Sequence, residues 1–349
     1  MSSSLSSLFS VKRRKETEDV YRRLDERRSS LDLERAEAAR EMRDRQTALI
    51  SAEPLEMRRI EKIFSRNGVV IVKDCRRDAS IDLPELASHE SKIVEALKRL
   101  QINFTGDSNR KRKFQREEDV AFRFEEVASR CFGRLDIRLL GTRLVARRDA
   151  VVEEVIARLL GEDSGLVYAG LISSFAGSFN QLFHADGPHL FGPNHQLPPH
   201  AINVFLPLGD VTDELGPTEF FCQSHKLERA KRLGKCIDQV YQSPDQRTSL
   251  ECLHRCIQLY GSAPVKPLLT ERDILFYDFR TVHRGTENVG KETRRMLYLL
   301  YTKNWFKDHI NFGQTSIFGD GAASAYKQQF EANAKDRYAP GFCHFETMK

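Results

Sequence analysis

Short apolar and aromatic runs, each bounded by Gly, Pro, Asn or Asp, fill the second half of this chain. They are Ala201-Ile-Asn-Val-Phe-Leu-Pro-Leu, Glu219-Phe-Phe-Cys, Asp273-Ile-Leu-Phe-Tyr-Asp-Phe and Met296-Leu-Tyr-Leu-Leu-Tyr. Runs of that length and make-up predict β-strands closed by turns. A series of them predicts an antiparallel sandwich or a small barrel. The strand-rich stretches are 167–225 and 265–306. Between them, 226–262 turns polar and helix-patterned, with Pro244-Asp245 as a break. It reads as an insertion between strands, placed where a lid or substrate loop would sit.

Upstream the pattern changes. Residues 11–50 hold no Gly or Pro and are densely charged. Tyr21, Leu24, Leu31, Ala38, Met42 and Leu49 fit a seven-residue repeat, but Arg28, Arg35 and Arg45 occupy the same seam, which argues against a strong coiled coil. A solvated helix of mixed charge is the plainer reading; a helix that contacts a partner is the sharper one. Residues 55–160 mix helix and strand patterns. The tail from Phe312 is rich in Gly and Ala and then charged. The division expected is a charged helical extension over 1–54, a central domain over 55–310 and a tail over 311–349.

Composition bounds the rest. A chain of 349 residues buries a substantial core. A formal charge of +5 is mild for that length, and acidic residues follow both basic runs, 11–15 and 110–113. Those runs read as solvated surface, so nucleic acid is not the expected partner; they are also what would support a nuclear location. No run approaches the ~18 apolar residues of a membrane span, and Leu5 to Phe9 is too short for a secretory core. Seven scattered cysteines, an odd number, point to a reducing compartment. The expected location is intracellular, in the cytoplasm. Cys252-Leu-His-Arg-Cys256 lacks a fourth ligand at zinc-finger spacing and reads as ordinary helix.

The chemistry begins at Asn180-Gln-Leu-Phe-His-Ala-Asp-Gly. Residues two apart on a strand point to one side, so His184 and Asp186 can present an imidazole and a carboxylate to one metal ion. A histidine from a distant strand would complete a two-histidine, one-carboxylate face with open positions, the arrangement of non-haem Fe(II) oxygenases. His283 is the candidate. His-x-Asp/Glu alone is weak, and His344-Phe345-Glu346 is a second match with no strand pattern and no later histidine. Context separates the two.

Three ordered segments carry a resemblance. Phe183-His-Ala-Asp-Gly-Pro-His-Leu-Phe191, Gly216-Pro-Thr-Glu-Phe-Phe-Cys-Gln-Ser-His-Lys226 and Asp273 through Asn288 look like the phytanoyl-CoA dioxygenase family. Arg59-Ile-Glu-Lys-Ile-Phe-Ser-Arg-Asn-Gly-Val-Val-Ile-Val72 resembles that family's opening, a helix leading into a strand. The likeness spans roughly 55 to 306. It departs at Cys222-Gln223, where Pro-Gly is usual, and at Arg272, where Gly is usual. It implies a mainly β fold with flanking helices on a double-stranded β-helix (jelly-roll, cupin-like) core. It also implies Fe(II), 2-oxoglutarate and O2, and a small-molecule substrate hydroxylated with release of succinate and CO2.

By resemblance, His184, Asp186 and His283 are the metal ligands and catalytic centre. Arg294 would clamp the distal carboxylate of 2-oxoglutarate with a bidentate fork. Arg295 competes, but neighbours on a strand face opposite ways, and the family spacing of eleven from His283 selects Arg294. Asn288 matches a family position near the co-substrate. His189, His195 and His200 read as rim or loop residues, His225 as structural. Phe183, Phe191 and Phe205 are candidate pocket or core aromatics. Two other classes stay open: a silent jelly-roll scaffold, and a cupin-type metalloenzyme that does not use 2-oxoglutarate. A halogenase is disfavoured by the carboxylate of Asp186, since halide ligation needs a small residue there.

Overall fold

The computed structural model describes residues 33–75, 83–100, 126–139, 149–190, 195–241, 250–308 and 311. The chain divides into two units, Met1–Gln46 and Thr47–Lys349. Helix α1 (33–49) begins in the first. It carries an exposed Glu41–Arg45 pair one turn apart, worth a few tenths of a kcal/mol, roughly 0.3 to 0.5. The start of the expected N-terminal helix (11–32), both basic runs and the tail from 312 lie outside the described residues.

The second unit is built on one eight-stranded sheet. Its strands in chain order are β1 (Ser51–Ala52), β2 (Val69–Val72), β3 (Val127–Cys131), β4 (Arg134–Arg138), β5 (Ser164–Ser174), β6 (Ala201–Pro207), β8 (Ile274–Asp278) and β10 (Arg294–Lys303). They lie in the order β1-β2-β8-β6-β10-β5-β4-β3, all antiparallel except β1 with β2. A smaller sheet pairs β7 (Thr218–Phe220) with β9 (His283–Gly285). Bridges from His184 to His283 and from Val265 to Phe220 widen it on both sides. Two facing sheets of this kind make the double-stranded β-helix. The extension expected to reach residue 54 ends earlier, because Ile50 is buried and Ser51 and Ala52 already pair with β2. A two-residue strand is too short to show a period.

Strand alternation sorts the large sheet into two faces. On β10, Leu297, Leu299 and Tyr301 point to one side, as do Ile202 and Val204 of β6 and Ile274 and Phe276 of β8. That face packs on helices α2 (Met57–Asn67), α3 (Leu83–Arg99) and α4 (Ala150–Leu160) through Ile60, Phe64, Ile93, Val152 and Ile156. Both faces are covered, so the strands read as continuous apolar runs instead of alternating ones. The opposite face looks into the barrel. There Phe205, Leu275, Tyr277, Met296 and Tyr298 meet Phe220 and Val265 of the smaller sheet. Everything chemical lies on this inner face.

Local signals place the helices. Asp149 caps α4 by accepting from the backbone N–H of Val151 at 2.8 Å, an interaction worth about 1 kcal/mol. Helix α2 closes at Gly68, whose φ is +75°, and a Cβ there would lie 2.4 Å from Nδ1 of His225. Glycine is required on both counts.

The insertion folds as α5 (Leu227–Tyr241) and α6 (Leu250–Tyr260), and its described residues do not form a lid. Leu233, Ile237, Cys256 and Tyr260 pack on Phe183, Phe221 and Val282, and among the described residues none from 226–262 lines the central cavity. Phe183 and Val282 immediately precede His184 and His283 and face the other way. The apolar stripes of the two helices are therefore spent on the back of the strands that carry the histidines. The insertion is a buttress.

The family departures at turns have separate outcomes. Gln223 takes φ +71°, the left-handed region that costs an L-residue about 1–2 kcal/mol. Arg272 needs no such angle and pairs at the surface with Asp74. Gln223→Gly is expected to raise stability, by under about 1 kcal/mol once the added freedom of the unfolded chain is counted. Urea unfolding checks it, and an unchanged or lower midpoint counts against a strained Gln223.

Candidate active site

His184 and His283 exchange both backbone hydrogen bonds across the smaller sheet, at 3.0 and 2.9 Å. Asp186, two residues along, is held by its own N–H on the carbonyl of Phe279 at 3.0 Å. Oδ1 of Asp186 lies 3.8 Å from Nε2 of each histidine, and the three ligand atoms all fall within 4.8 Å of one another. Bonds of about 2.1 Å to one ion would draw such a set together.

The surroundings prepare these atoms as ligands. Nδ1 of His184 faces the carbonyl of Leu182 at 2.7 Å, and Nδ1 of His283 that of Thr281 at 2.9 Å. A carbonyl only accepts, so each Nδ1 carries the proton and each Nε2 keeps its lone pair for the metal side. On Asp186, Oδ2 accepts from Nδ2 of Asn203 at 2.7 Å and from the hydroxyl of Tyr277 at 2.8 Å. Oδ1 is the oxygen left over. Burial, and then the neighbouring His283, pull His184 down to about 4. It is neutral at working pH, as a metal ligand must be. The donor set fits a divalent ion with imidazole and carboxylate preference.

Arg294 lines the same cavity and is buried. Its Nη2 donates to Oγ of Ser174 at 3.0 Å and its Nη1 reaches Oγ1 of Thr218 at 3.4 Å, while Nε has no partner. Among the described residues no carboxylate pairs with it. Desolvation, then the nearby Arg134, bring it down to about 9. A buried guanidinium without a counter-ion is costly, and a ligand carboxylate is what would satisfy it. Arg295 faces the helices instead, donating from Nε to Glu90 at 2.8 Å. Asn288 is fully buried and does not line the cavity. Its Nδ2 donates to the carbonyls of Ser174 and Glu292, and its Oδ1 accepts from the N–H of Gly290. It pins the loop between β9 and β10, and with that the start of the strand bearing Arg294.

Several site residues escape sequence reading. Asn203 and Tyr277, which orient Asp186, sit inside apolar strands. Arg130, Asp136 and Tyr298 form a second polar group on the cavity wall, with Nε of Arg130 on Oδ2 of Asp136 at 2.8 Å. The available signal was a polar residue at an inward position of a buried strand, as in Arg134-Leu-Asp-Ile-Arg138. Of the aromatics, Phe205 lines the cavity, Phe183 packs under the insertion, and Phe191 falls outside the described residues. Ser224 and His225 are structural. Ser224 Oγ accepts from the N–H of Val282 at 2.7 Å, next to His283, and His225 Nε2 meets the carbonyl of Ser65. His195 is exposed.

His200 is buried and both its ring nitrogens lack a partner, as do those of His189. Desolvation, then Arg280, hold each at about 4. Unfolded histidine titrates near 6.5. The unfolded state therefore takes up protons first, and stability is complete above about pH 6.5 and falls as pH drops toward 4. His200 alone is expected to account for about 2 kcal/mol between pH 7.5 and pH 5. Urea unfolding at both pH values checks this: His200→Phe, beside Phe306, should flatten the difference, and an equal pH slope in the variant would sink the assignment.

Comparison with known proteins adds the following. The phytanoyl-CoA dioxygenase (PhyH) family model matches residues 64–296, more than half of the chain. Among solved structures, EvdMO1 is 15% identical with a TM-score of 0.41, the match covering 68% of this chain and 48% of that one. The chain thus spans about half the length of that protein. AviO1 from Streptomyces viridochromogenes Tue57 is 15% identical with a TM-score of 0.42, covering 70% and 94% of the two chains. SnoN, a non-heme alpha ketoglutarate dependent epimerase from nogalamycin biosynthesis, is 16% identical with a TM-score of 0.40, covering 76% and 97%.

Proposed function

The chain belongs to the phytanoyl-CoA dioxygenase family, and from that premise we propose that it hydroxylates a small organic molecule, using Fe(II), 2-oxoglutarate and O2 and releasing succinate and CO2. His184, Asp186 and His283 hold the metal, and Arg294, steadied by Ser174 and with Thr218 beside it, holds the distal carboxylate of the co-substrate. The observation that carries this reading is a convergence in one cavity. Two Nε2 atoms and one carboxylate oxygen meet there, beside a buried arginine that has no counter-ion among the described residues.

Bound iron supplies the redox chemistry that couples decarboxylation of 2-oxoglutarate to oxygenation of a C–H bond. The chain's own residues orient and shield. Asn203 and Tyr277 keep one oxygen of Asp186 occupied, which favours monodentate ligation by the other. Burial and carbonyl partners keep both histidines as Nε2 donors. Phe205, Ile172, Leu300 and Phe279 give the cavity apolar surface, while the Arg130–Asp136 pair and Tyr298 set polar groups among them, Asp136 beside Ile172 and Tyr298 beside Phe205 in the sheet register. A substrate with both apolar and polar parts suits that lining.

The orphaned guanidinium of Arg294 weighs against a cupin-type enzyme that does not use 2-oxoglutarate, and the intact ligand set weighs against a silent scaffold. Four described cysteines are free thiols, which supports an intracellular location. No helix among the described residues is long and apolar enough to cross a membrane. Anaerobic titration with Fe(II) and then 2-oxoglutarate, followed by exposure to O2 and assay of succinate, tests the proposal. The expected result is one metal and one 2-oxoglutarate per chain, with slow succinate formation even without substrate. Metal binding with no affinity for 2-oxoglutarate would favour the cupin-type alternative.

A further inference from the structure

A second group of polar side chains lines the cavity, and neither the metal nor the co-substrate uses it. Arg130 of β3 donates from Nε to Oδ2 of Asp136 on β4 at 2.8 Å, and its Nη2 bonds the same oxygen. Tyr298 of β10 joins them across β5. Its register partner there is Gly170, and a Cβ on that glycine would lie 2.6 Å from the tyrosine hydroxyl oxygen. The ring therefore lies over β5 where no side chain stands, and its hydroxyl comes beside Asp136. Asp308 and Asn311 follow β10. Nδ2 of Asn311 donates to Oδ2 of Asp308, and the hydroxyl of Tyr168 donates to the Asp308 carbonyl at 3.2 Å. A buried ion pair is a weak way to stabilise a sheet, since apolar residues of equal volume serve as well. One kept on a cavity wall points to a ligand.

The atoms say what kind. Two bonds to Asp136 fix the guanidinium, and Nη1 is the corner that reaches Oδ1 of Asn311, at 3.4 Å. Nδ2 of Asn311 in turn lies 3.5 Å from the backbone carbonyl of Asp186, so this group adjoins the metal site. Both distances are at the limit for a hydrogen bond, and a substrate oxygen at normal distance would hold Nη1 better. On the acceptor side, Oδ1 of Asp136 is buried and has no partner.

Charge decides which oxygen fits. The group lines the cavity with one arginine and two aspartates, and Asp136 already neutralises Arg130. Arg138 lies over the ring of Tyr168 and does not itself line the cavity. Among the described lining residues the other arginine is Arg294, which the co-substrate takes. A carboxylate or phosphate placed here would face Asp308 with no cation to spare, and little water would screen the repulsion. A hydroxyl both accepts and donates. It can take the N–H of Nη1 and give its own proton to Asp136.

We propose that the substrate is a neutral, hydroxyl-bearing molecule, that Arg130 and Asp136 bind its hydroxyl as donor and acceptor, and that Asp308 excludes carboxylates and phosphates. This rests on the functional reading above and names the substrate class for that same site.

The test is anaerobic proton NMR on protein loaded with Mn(II) and saturating 2-oxoglutarate. The probes are cinnamyl alcohol and cinnamate, alike in size and different at one end. The paramagnetic ion broadens the lines of whichever probe binds beside it. In wild type the alcohol is expected to bind at least about tenfold more tightly than cinnamate. Asp308→Asn should strengthen cinnamate and leave the alcohol alone, bringing the two within about threefold. Arg130→Leu combined with Asp136→Leu removes the pair without stranding a charge, and should raise the Kd of the alcohol about tenfold. Mn(II) and 2-oxoglutarate affinities, measured in each variant, report whether the site is still folded. If the double variant fails to fold, wild type and Asp308→Asn still decide. Cinnamate binding as tightly as the alcohol in wild type overturns the proposal, and so does an alcohol whose lines stay sharp at millimolar concentration. Unchanged alcohol affinity in a folded double variant overturns the roles of Arg130 and Asp136. Wild-type protein that binds Mn(II) but no 2-oxoglutarate overturns the functional reading itself.

Discussion

Replacing Asp186 with alanine is expected to abolish tight metal binding and, with it, succinate formation. The carboxylate supplies the anionic member of the ligand set and stands 3.8 Å from both partner nitrogens. Losing an outer-shell partner of a metal ligand costs about 10- to 100-fold in affinity, so loss of the ligand itself should exceed 100-fold. The variant also strands Nδ2 of Asn203 and the hydroxyl of Tyr277, which both donate to Asp186. Unsatisfied buried groups cost about 1–3 kcal/mol each, although water entering the cavity would recover part of that. A lowered melting temperature is therefore expected, and metal affinity must be measured at a temperature where the variant is folded. Asp186→Asn separates the effects, because it keeps the shape but loses the charge. Equal succinate production by wild type and Asp186→Ala, with metal content checked in both, would remove the oxygenase reading.

The cluster of candidate metal ligands was legible because its signal is local and periodic. His-Ala-Asp puts two donors on one face of an extended strand, and the runs around Ile274 and Met296 announce the sheet that carries the rest. Strand alternation allows only one of Arg294 and Arg295 into the barrel, and the family spacing from His283 selects Arg294; the two lie on opposite faces, one against Ser174 and the other against Glu90. What sequence could not convey was partnership across strands. Asn203, Tyr277 and Arg134 come from three strands and are brought to the site only by register. Asn288 has the spacing of a co-substrate residue, yet both its polar atoms are spent on backbone. The insertion was misplaced for a related reason. Its helical pattern was plain, but the apolar stripe of a helix does not say which surface it covers, and here that surface is the back of the ligand strands.

Arg294→Ala should weaken 2-oxoglutarate by on the order of 100-fold or more while leaving metal affinity nearly unchanged. Truncating one member of a desolvated, hydrogen-bonded charge pair typically costs about 2–5 kcal/mol. Thr218 remains to hydrogen-bond a carboxylate, but it carries no charge. Arg294→Lys should recover part of the loss, since an ammonium restores the charge without the planar fork. Arg295→Ala should leave 2-oxoglutarate affinity as it was and lower stability instead, because Glu90, almost fully buried, loses a donor. Stability of the apo protein gives the discriminating sign. Arg294 is a buried positive charge with no counter-ion among the described residues, close to a second positive charge, so its removal relieves repulsion and desolvation. Arg294→Met is expected to melt at or above the wild-type temperature without ligand and to lose the stabilisation that 2-oxoglutarate confers on the metal-loaded wild type. A structural arginine would behave in the opposite way, melting lower when replaced and leaving the ligand-induced shift intact. Paired melting curves, with and without 2-oxoglutarate, distinguish the two cases.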